Sequence, residues 1–357
     1  MSAFICQACH VACCANSTPN VVSWGRGGIV AFGTCNSVAL YDPQERRVLC
    51  LLNGHTGRVN ALHWVHNNKQ NLECHLVSGG SDNLLIVWEA QDEKFIKLME
   101  LKGHTEAVCA VDAIYMDSEI LVASSASDSS VKLWLCSDLK EGKSIWLYFS
   151  CPHCITLFKA LFRIVPILAC GGDDSQVHLY VVTSEQLQKA MTLKGHEDWV
   201  RGVEWVSTRG GLLLASCSQD SLIRVWRLTA KSSTDTLTED NHTIIRMKED
   251  VFEVNDQGTS SVFSVSLETV LAGHENWVCG VHWQPPVYKD DELQQPARLL
   301  SASMDKTMII WAPEEGSGVW VEQYHFCFCL SAAPPPSPPP PSCLSELPTD
   351  AIVPEWG

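Results

Sequence analysis

The sequence repeats with a period of 46 residues, so its fold is assembled from one small unit used many times. Four Gly-His pairs mark the units: Gly54-His55, Gly103-His104, Gly195-His196 and Gly273-His274. Each is followed by an Asp and, six residues later, a Trp: Asp82/Trp88, Asp128/Trp134, Asp220/Trp226 and Asp305/Trp311. A fifth unit keeps that spacing as Asp174/Tyr180 without a Gly-His pair, and a sixth keeps only Tyr41-Asp42. The anchor aromatics at 41, 88, 134, 180, 226 and 311 are separated by 47, 46, 46, 46 and 85 residues. The last interval therefore carries 39 extra residues, 32 between Trp226 and Gly273 and 7 between His274 and Trp311. The larger insert, about 228–268, is acidic and Ser/Thr-rich and reads as a solvated excursion or a hairpin that reaches a partner. The smaller, around PPVYKDDELQQPA, reads as an extended loop between two strands.

Between the anchors lie runs such as HLVSGGSDNLLIVW, ILVASSASDSSVKLW, LLLASCSQDSLIRVW and RLLSASMDKTMIIW. Each reads as a strand, a tight Asp-containing turn and a second strand, with β-branched and aromatic residues in the arms. No segment has a 3.6-residue apolar period. The fold class is all-β, and about four strands per unit repeated radially predict a β-propeller.

Gly-His, then Ser-x-x-x-Asp, then Trp six residues on resembles the signature of WD-repeat propellers. The segments GHEDWVRGVEW, ASCSQDSLIRVW, LETVLAGHENWVCGVHWQP, RLLSASMDKTMIIWAPEE, NGHTGRVNALHW and VSGGSDN further resemble the amino-terminal propeller of the Elongator complex subunit two family, over about residues 10–323. The resemblance implies a non-catalytic scaffold in the cytoplasm and nucleus. Its partners would be the largest and catalytic subunits of a complex that modifies wobble uridines in transfer RNA, with only indirect association with the RNA. It also implies seven blades, of which six units are recognisable, and leaves ring closure open. The expected domains are a propeller over 1–323 and a disordered Pro-rich tail over 324–357, where nine of the 17 prolines lie. Since the resemblance stops near Tyr324, a truncated form unable to assemble is an alternative reading. A general WD-repeat adaptor for signalling or transcription-factor partners is another.

His, Ser, Asp and Trp recur as four sets: His55/Ser78/Asp82/Trp88, His104/Ser124/Asp128/Trp134, His196/Ser216/Asp220/Trp226 and His274/Ser301/Asp305/Trp311. Each resembles a hydrolase triad, but an enzyme needs one nucleophile in one cleft, not four copies joined to a Trp. The structural reading is a packing device: a buried indole N–H needs an acceptor, Ser supplies it, and His links Ser to the turn Asp. In the fifth unit Cys170 replaces Ser and Tyr180 replaces Trp, so its polar chain is expected to be lost throughout. Trp64, Trp205 and Trp283 each lie nine residues after their His position and are expected in the core.

In the WD family, partner contacts concentrate three and five residues after the Gly-His histidine and just before the turn Asp. Carried over, these positions include Arg58, Asn60, Trp199, Arg201, Trp277, Asp173 and Gln219. Trp199, Arg201 and Trp277 stand out because Trp and Arg are favoured interface anchors.

Acidic residues number 41 against 25 basic, a net charge of −16, which argues against gripping nucleic-acid phosphates as the main task. The Cys6-Gln7-Ala8-Cys9-His10 run matches a haem-attachment or partial zinc pattern, but with no signal peptide and no second spaced pair beyond Cys151-Pro152-His153-Cys154 it reads as an apolar strand. Seventeen scattered Cys fit reduced thiols in an intracellular protein. The apolar stretch from Ile155 to Cys170 carries Lys159, Arg163 and Pro166, so no membrane span is expected. No phosphate-binding Gly loop and no paired carboxylates of a cleft are present. The expectation is therefore no metal, no cofactor and no small-molecule substrate.

Overall fold

The computed structural model describes residues 15–66, 73–91, 94–116, 119–136, 143–148, 152–159, 166–182, 187–208, 211–231, 249–256, 259–289 and 292–327. Among these every regular element is a strand, and the strands form six antiparallel blades and one small ribbon. Blade one is β1 (Val22–Trp24), β2 (Val30–Thr34), β3 (Ser37–Asp42) and β4 (Arg47–Asn53). Blade two is β5 (Val59–Val65), β6 (His75–Gly80), β7 (Leu84–Gln91) and β8 (Lys94–Lys102). Blade three is β9 (Val108–Met116), β10 (Glu119–Ala126), β11 (Ser130–Cys136) and β12 (Lys143–Tyr148). Blade four is β13 (Pro152–Lys159), β14 (Pro166–Gly172), β15 (Gln176–Val182) and β16 (Leu187–Lys194). Blade five has five strands: β17 (Val200–Thr208), β18 (Gly211–Ser218), β19 (Leu222–Lys231), β20 (Asp250–Asp256) and β21 (Thr259–Ala272). Blade six is β22 (Val278–Trp283), β25 (Leu299–Ser303), β26 (Thr307–Pro313) and β27 (Trp320–Cys327), with the ribbon β23 (Val287–Lys289) and β24 (Glu292–Gln294) between its first two strands.

The middle strands of each blade are covered on both faces, which is why they read as nearly unbroken apolar runs: β6 and β14 are buried along almost their whole length. The outermost strands β4, β8 and β27 are mostly exposed, and they expose apolar side chains such as Leu51, Ile96 and Val321 beside their polar ones. Five large apolar clusters occupy the five junctions between successive blades. Trp64, Trp205 and Trp283 lie buried in three of them. Blade one carries only a small further cluster of Phe32, Ala39 and Tyr41. Among the described residues no ladder joins blade six to blade one, so the ring is not closed by hydrogen bonds. Each blade supplies all its own strands.

The described residues of both inserts are largely strands, and residues 232–248 of the larger one lie outside the described residues. The larger lengthens β19 and β21 and adds β20, which pairs with β21 from Asp250↔Val265 to Asp256↔Thr259. β20 alternates, and its Phe252 and Val254 are buried with Phe263 and Val265 in the core between blades four and five. For these described residues this corrects the solvated-excursion reading: Phe252 and Val254 face the core, while Val251 and Glu253 between them face outward. The smaller insert is the β23–β24 ribbon, not an extended loop. β27 runs through residue 323, where the family resemblance stops, to Cys327. Residues 1–14, with the Cys6-to-His10 run, and 328–357, with the Pro-rich run, lie outside the described residues.

Candidate functional site: the tetrads and the loop rim

Each turn Asp sits between the second and third strands of its blade. The residue after it takes the left-handed backbone, with φ of 66° at Asn83, 60° at Ser129, 60° at Ser175, 65° at Ser221 and 66° at Lys306. Asn tolerates this conformation and Ser and Lys bear a modest strain there. One carboxylate oxygen of the Asp closes its own turn by accepting the amide two residues on, at 3.0 Å from Ser130, 2.9 Å from Leu222 and 2.8 Å from Thr307. The other oxygen reaches the Gly-His loop, accepting the amides of Thr56 at 2.8 Å, Thr105 at 2.9 Å, Glu197 at 3.1 Å and Glu275 at 2.9 Å. A neutral amide has one acceptor oxygen, so the double task explains why the position is Asp.

The four expected sets are brought together with one geometry. Trp88, Trp134, Trp226 and Trp311 donate their indole N–H to Ser78, Ser124, Ser216 and Ser301 at 2.8, 2.9, 3.0 and 2.9 Å. The same hydroxyls lie 2.8, 2.8, 2.9 and 2.7 Å from Nε2 of His55, His104, His196 and His274. The opposite nitrogen, Nδ1, meets Asp82, Asp128, Asp220 and Asp305 at 3.0, 2.9, 2.8 and 3.1 Å. In blades two, three and six the hydroxyl accepts from Trp and gives its own proton to Nε2, and Nδ1 carries the ring proton toward Asp; in blade five Arg224 Nη1, a donor, also lies 2.9 Å from His196 Nδ1. All four Ser are fully buried, so none of these hydroxyls is open to a substrate.

Electrostatics follow the geometry. Burial disfavours the charged form of His104 and His274, and this outweighs their aspartates, so both sit below the ordinary imidazole value. Burial also opposes ionisation of Asp128, but Ser130, the Thr105 amide and His104 overcome it and hold the carboxyl at about 2. Asp82, Asp220 and Asp305 are depressed by the same balance. The glycine before the His has a steric reason: a Cβ on Gly54 or Gly273 would come within 2.8 Å of the Trp88 or Trp311 ring.

The position two before the anchor aromatic varies, as Ile86, Lys132, His178, Arg224 and Ile309, and was not singled out from sequence. Arg224 Nη1 donates to Asp220 at 3.1 Å. Lys132, almost wholly buried, donates to the Gly103 carbonyl and lies 3.8 Å from Asp128. In blade four, His178 Nε2 meets Asp174 at 2.7 Å and Nδ1 meets Thr192 at 3.1 Å. The polar chain of the degenerate unit is therefore not lost throughout. An imidazole four residues after Asp174 occupies the role that a Gly-His loop supplies elsewhere.

The rim residues divide by environment. Asn60 is half-buried and donates to the Val108 carbonyl at 3.1 Å, tying blade two to blade three, whereas Arg58 beside it is exposed. Asp173 is half-buried before its turn. Trp199, Arg201 and Gln219 form one cluster: the Arg201 guanidinium lies 5.5 Å from the Trp199 ring centroid, and Gln219 Oε1 accepts from its Nε at 2.9 Å and Nη2 at 2.7 Å. Gln219 is buried, and its amide bonds the Trp199 carbonyl at 3.0 Å. The Met304 amide makes the equivalent bond to Trp277 at 2.9 Å. Trp199, Trp277 and Met304 remain 41%, 43% and 57% exposed.

The sequence profile of the family WD domain, G-beta repeat matches residues 46–89, 95–134, 187–227 and 265–312, the four stretches that carry the tetrads. These four stretches are WD repeats. These WD repeats are similar to Elongator complex protein 2 of Danio rerio, at 57% identity over 325 residues, covering 90% of this chain and 39% of that protein. Elongator complex protein 2 of Homo sapiens is 48% identical over 340 residues, covering 90% of this chain and 40% of its own length. The Schizosaccharomyces pombe protein of that name is 28% identical over 326 residues, covering 88% and 40%. The chain thus spans about two fifths of the length of these relatives.

Proposed function

We propose that this WD-repeat chain is a non-catalytic scaffold that holds protein subunits in an Elongator-type assembly. The observation that carries the reading is the 57% identity to a protein named Elongator complex protein 2 across 90% of the chain. On this reading its partners are the largest and catalytic subunits of the complex. It serves transfer RNA wobble-uridine modification in cytoplasm and nucleus and meets the RNA only through those subunits. The net charge of −16 favours protein partners over phosphate contact. The burial of the four tetrad Ser side chains supports a scaffold over a hydrolase. Trp199, backed by Arg201 and Gln219, and Trp277, exposed on the adjacent blade, are the leading contact residues, with Arg58 and Asp173 on the same loop system.

Affinity purification of the chain tests this, with mass spectrometry of what accompanies it. Recovery of the other Elongator subunits, reduced by Trp199→Ala with Trp277→Ala in a folded product, is the expected outcome. Recovery of signalling or transcription factors alone would replace it with the general adaptor reading.

A further inference from the structure

A second polar position recurs in every blade, one residue beyond the first-strand residue that pairs with the tetrad Ser or its counterpart. It is Ser23, His63, Asp112, Thr156, Glu204 and His282, paired across to Ala31, Val77, Ala123, Ala169, Ala215 and Leu300. These six stand on the first strand of each sheet, and first strands of successive blades pack on one another. Among the described residues no ladder joins two blades; beside isolated backbone bonds, such as the Leu62 amide to the Asn20 carbonyl at 2.8 Å, side chains supply polar bonds there.

Three junctions use the same bond. Ser23 Oγ accepts the Trp64 amide at 3.1 Å, from blade one to blade two. Asp112 Oδ2 accepts the Leu157 amide at 2.7 Å, from blade three to four. Glu204 Oε2 accepts the Trp283 amide at 2.7 Å, from blade five to six. Two junctions add an imidazole: His63 Nε2 lies 3.0 Å from Asp112, joining blades two and three, and His282 Nδ1 lies 3.5 Å from Glu204. We infer that this axial ring is a second fastening system between blades, separate from the tetrads, and that its two histidines make blade cohesion respond to pH, tightening below neutrality and loosening above it.

The groups facing His63 are Asp112 on β9, Glu204 on β17 and His282 on β22, with His66 at 5.6 Å between ring centroids and Glu73 and Arg26 behind that ring. Burial works against the charged His63, but Asp112 outweighs it and the imidazole sits above its ordinary value. Glu204 raises His282 in the same direction. His282 is 77% exposed against 27% for His63, so solvent screens its pair and His63 carries the larger share. A base raised in the folded state stabilises fully below its unfolded value of about 6.5 and loses that contribution as pH rises through the folded value.

Urea unfolding of the chain at pH 6 and pH 8 tests this, comparing wild type with His63→Gln and with His63→Gln/His282→Gln. The expected result is a lower midpoint for both variants at pH 6, the double variant lowest, with the gap to wild type shrinking by pH 8. A gap that is absent at pH 6, or equal at both pH values, overturns the proposal. Imidazole proton NMR on the wild-type chain gives an answer that needs no folded His63 variant. The His63 ring should titrate above about 6.5 and shift downward in Asp112→Asn. Titration at or below that value in the wild type overturns it as well.

Discussion

Asp220 and Asp82 hold equivalent places in two tetrads but differ in one neighbour, and that difference sets the cost of removing each. Asp82→Ala deprives His55 Nδ1 and the Thr56 amide of their acceptor, while the neighbour two before the anchor, Ile86, needs nothing. Losing hydrogen bonds to a charged acceptor of this kind costs roughly 2–3 kcal/mol. Asp220→Ala removes the same two partners and also leaves Arg224, whose side chain is 11% exposed, without the carboxylate 3.1 Å away. Stranding one member of a buried ion pair costs about 3–5 kcal/mol. Asp220→Ala should therefore destabilise by about 1–2 kcal/mol more than Asp82→Ala. Equilibrium urea unfolding followed by tryptophan fluorescence measures both, with equal slopes required for the comparison. Adding Arg224→Ile, which copies blades two and six, should recover most of the excess. If Asp82→Ala costs as much as Asp220→Ala, or if Arg224→Ile deepens the loss, the assignment of Arg224 as a cation dependent on Asp220 is wrong.

Lys132→Ile should be neutral or stabilising within about 1 kcal/mol, because Asp128 keeps His104, Ser130 and the Thr105 amide while the desolvation of a buried ammonium disappears; thermal unfolding reads the sign. Acid sensitivity should set in below the ordinary Asp value of about 3.9. Asp128 is depressed to about 2 and the other three turn aspartates are depressed with it, so their contribution is complete above the unfolded value and lost as pH falls through the folded ones. Circular dichroism from pH 5 to pH 2 follows it, and Asp128→Asn should flatten the curve.

The tetrads were legible in the sequence because both of their spacings are fixed by rigid geometry. Asp and Trp are joined by one turn and one strand, so six residues separate them in every complete unit. The Gly-His pair reveals itself through the glycine that lets the loop approach the anchor ring. The rim was legible only in part. Position after the histidine says where a side chain stands, but not that Asn60 spends its amide on the Val108 carbonyl or that Gln219 is buried beneath Arg201. β20 had a visible period-two signal in Phe252 and Val254, masked because Asp250 and Asp256 share their parity and the apolar Val251 stands on the other. Pairing partners far apart in the chain decide whether such a pattern is a strand, and spacing alone does not supply them.

The axial ring escaped a motif search for a physical reason. Its residues share a register and an environment but not a side chain: a hydroxyl, an imidazole and a carboxylate each satisfy the neighbouring blade, and only His recurs, at two of the six positions. Blade four makes the same point for the tetrads. Asp174 needs a donor for its second oxygen, and His178 supplies it from the next strand of the same blade, with no Gly-His loop at all. What these repeats keep is the demand for satisfaction of a buried acceptor, while the donor is free to change identity and origin. A unit can therefore lose its signature and still form a blade. The indole-to-serine chain is the stricter requirement, because it occurs only where the Trp, Ser and His are all present, in the four units that the family profile matches.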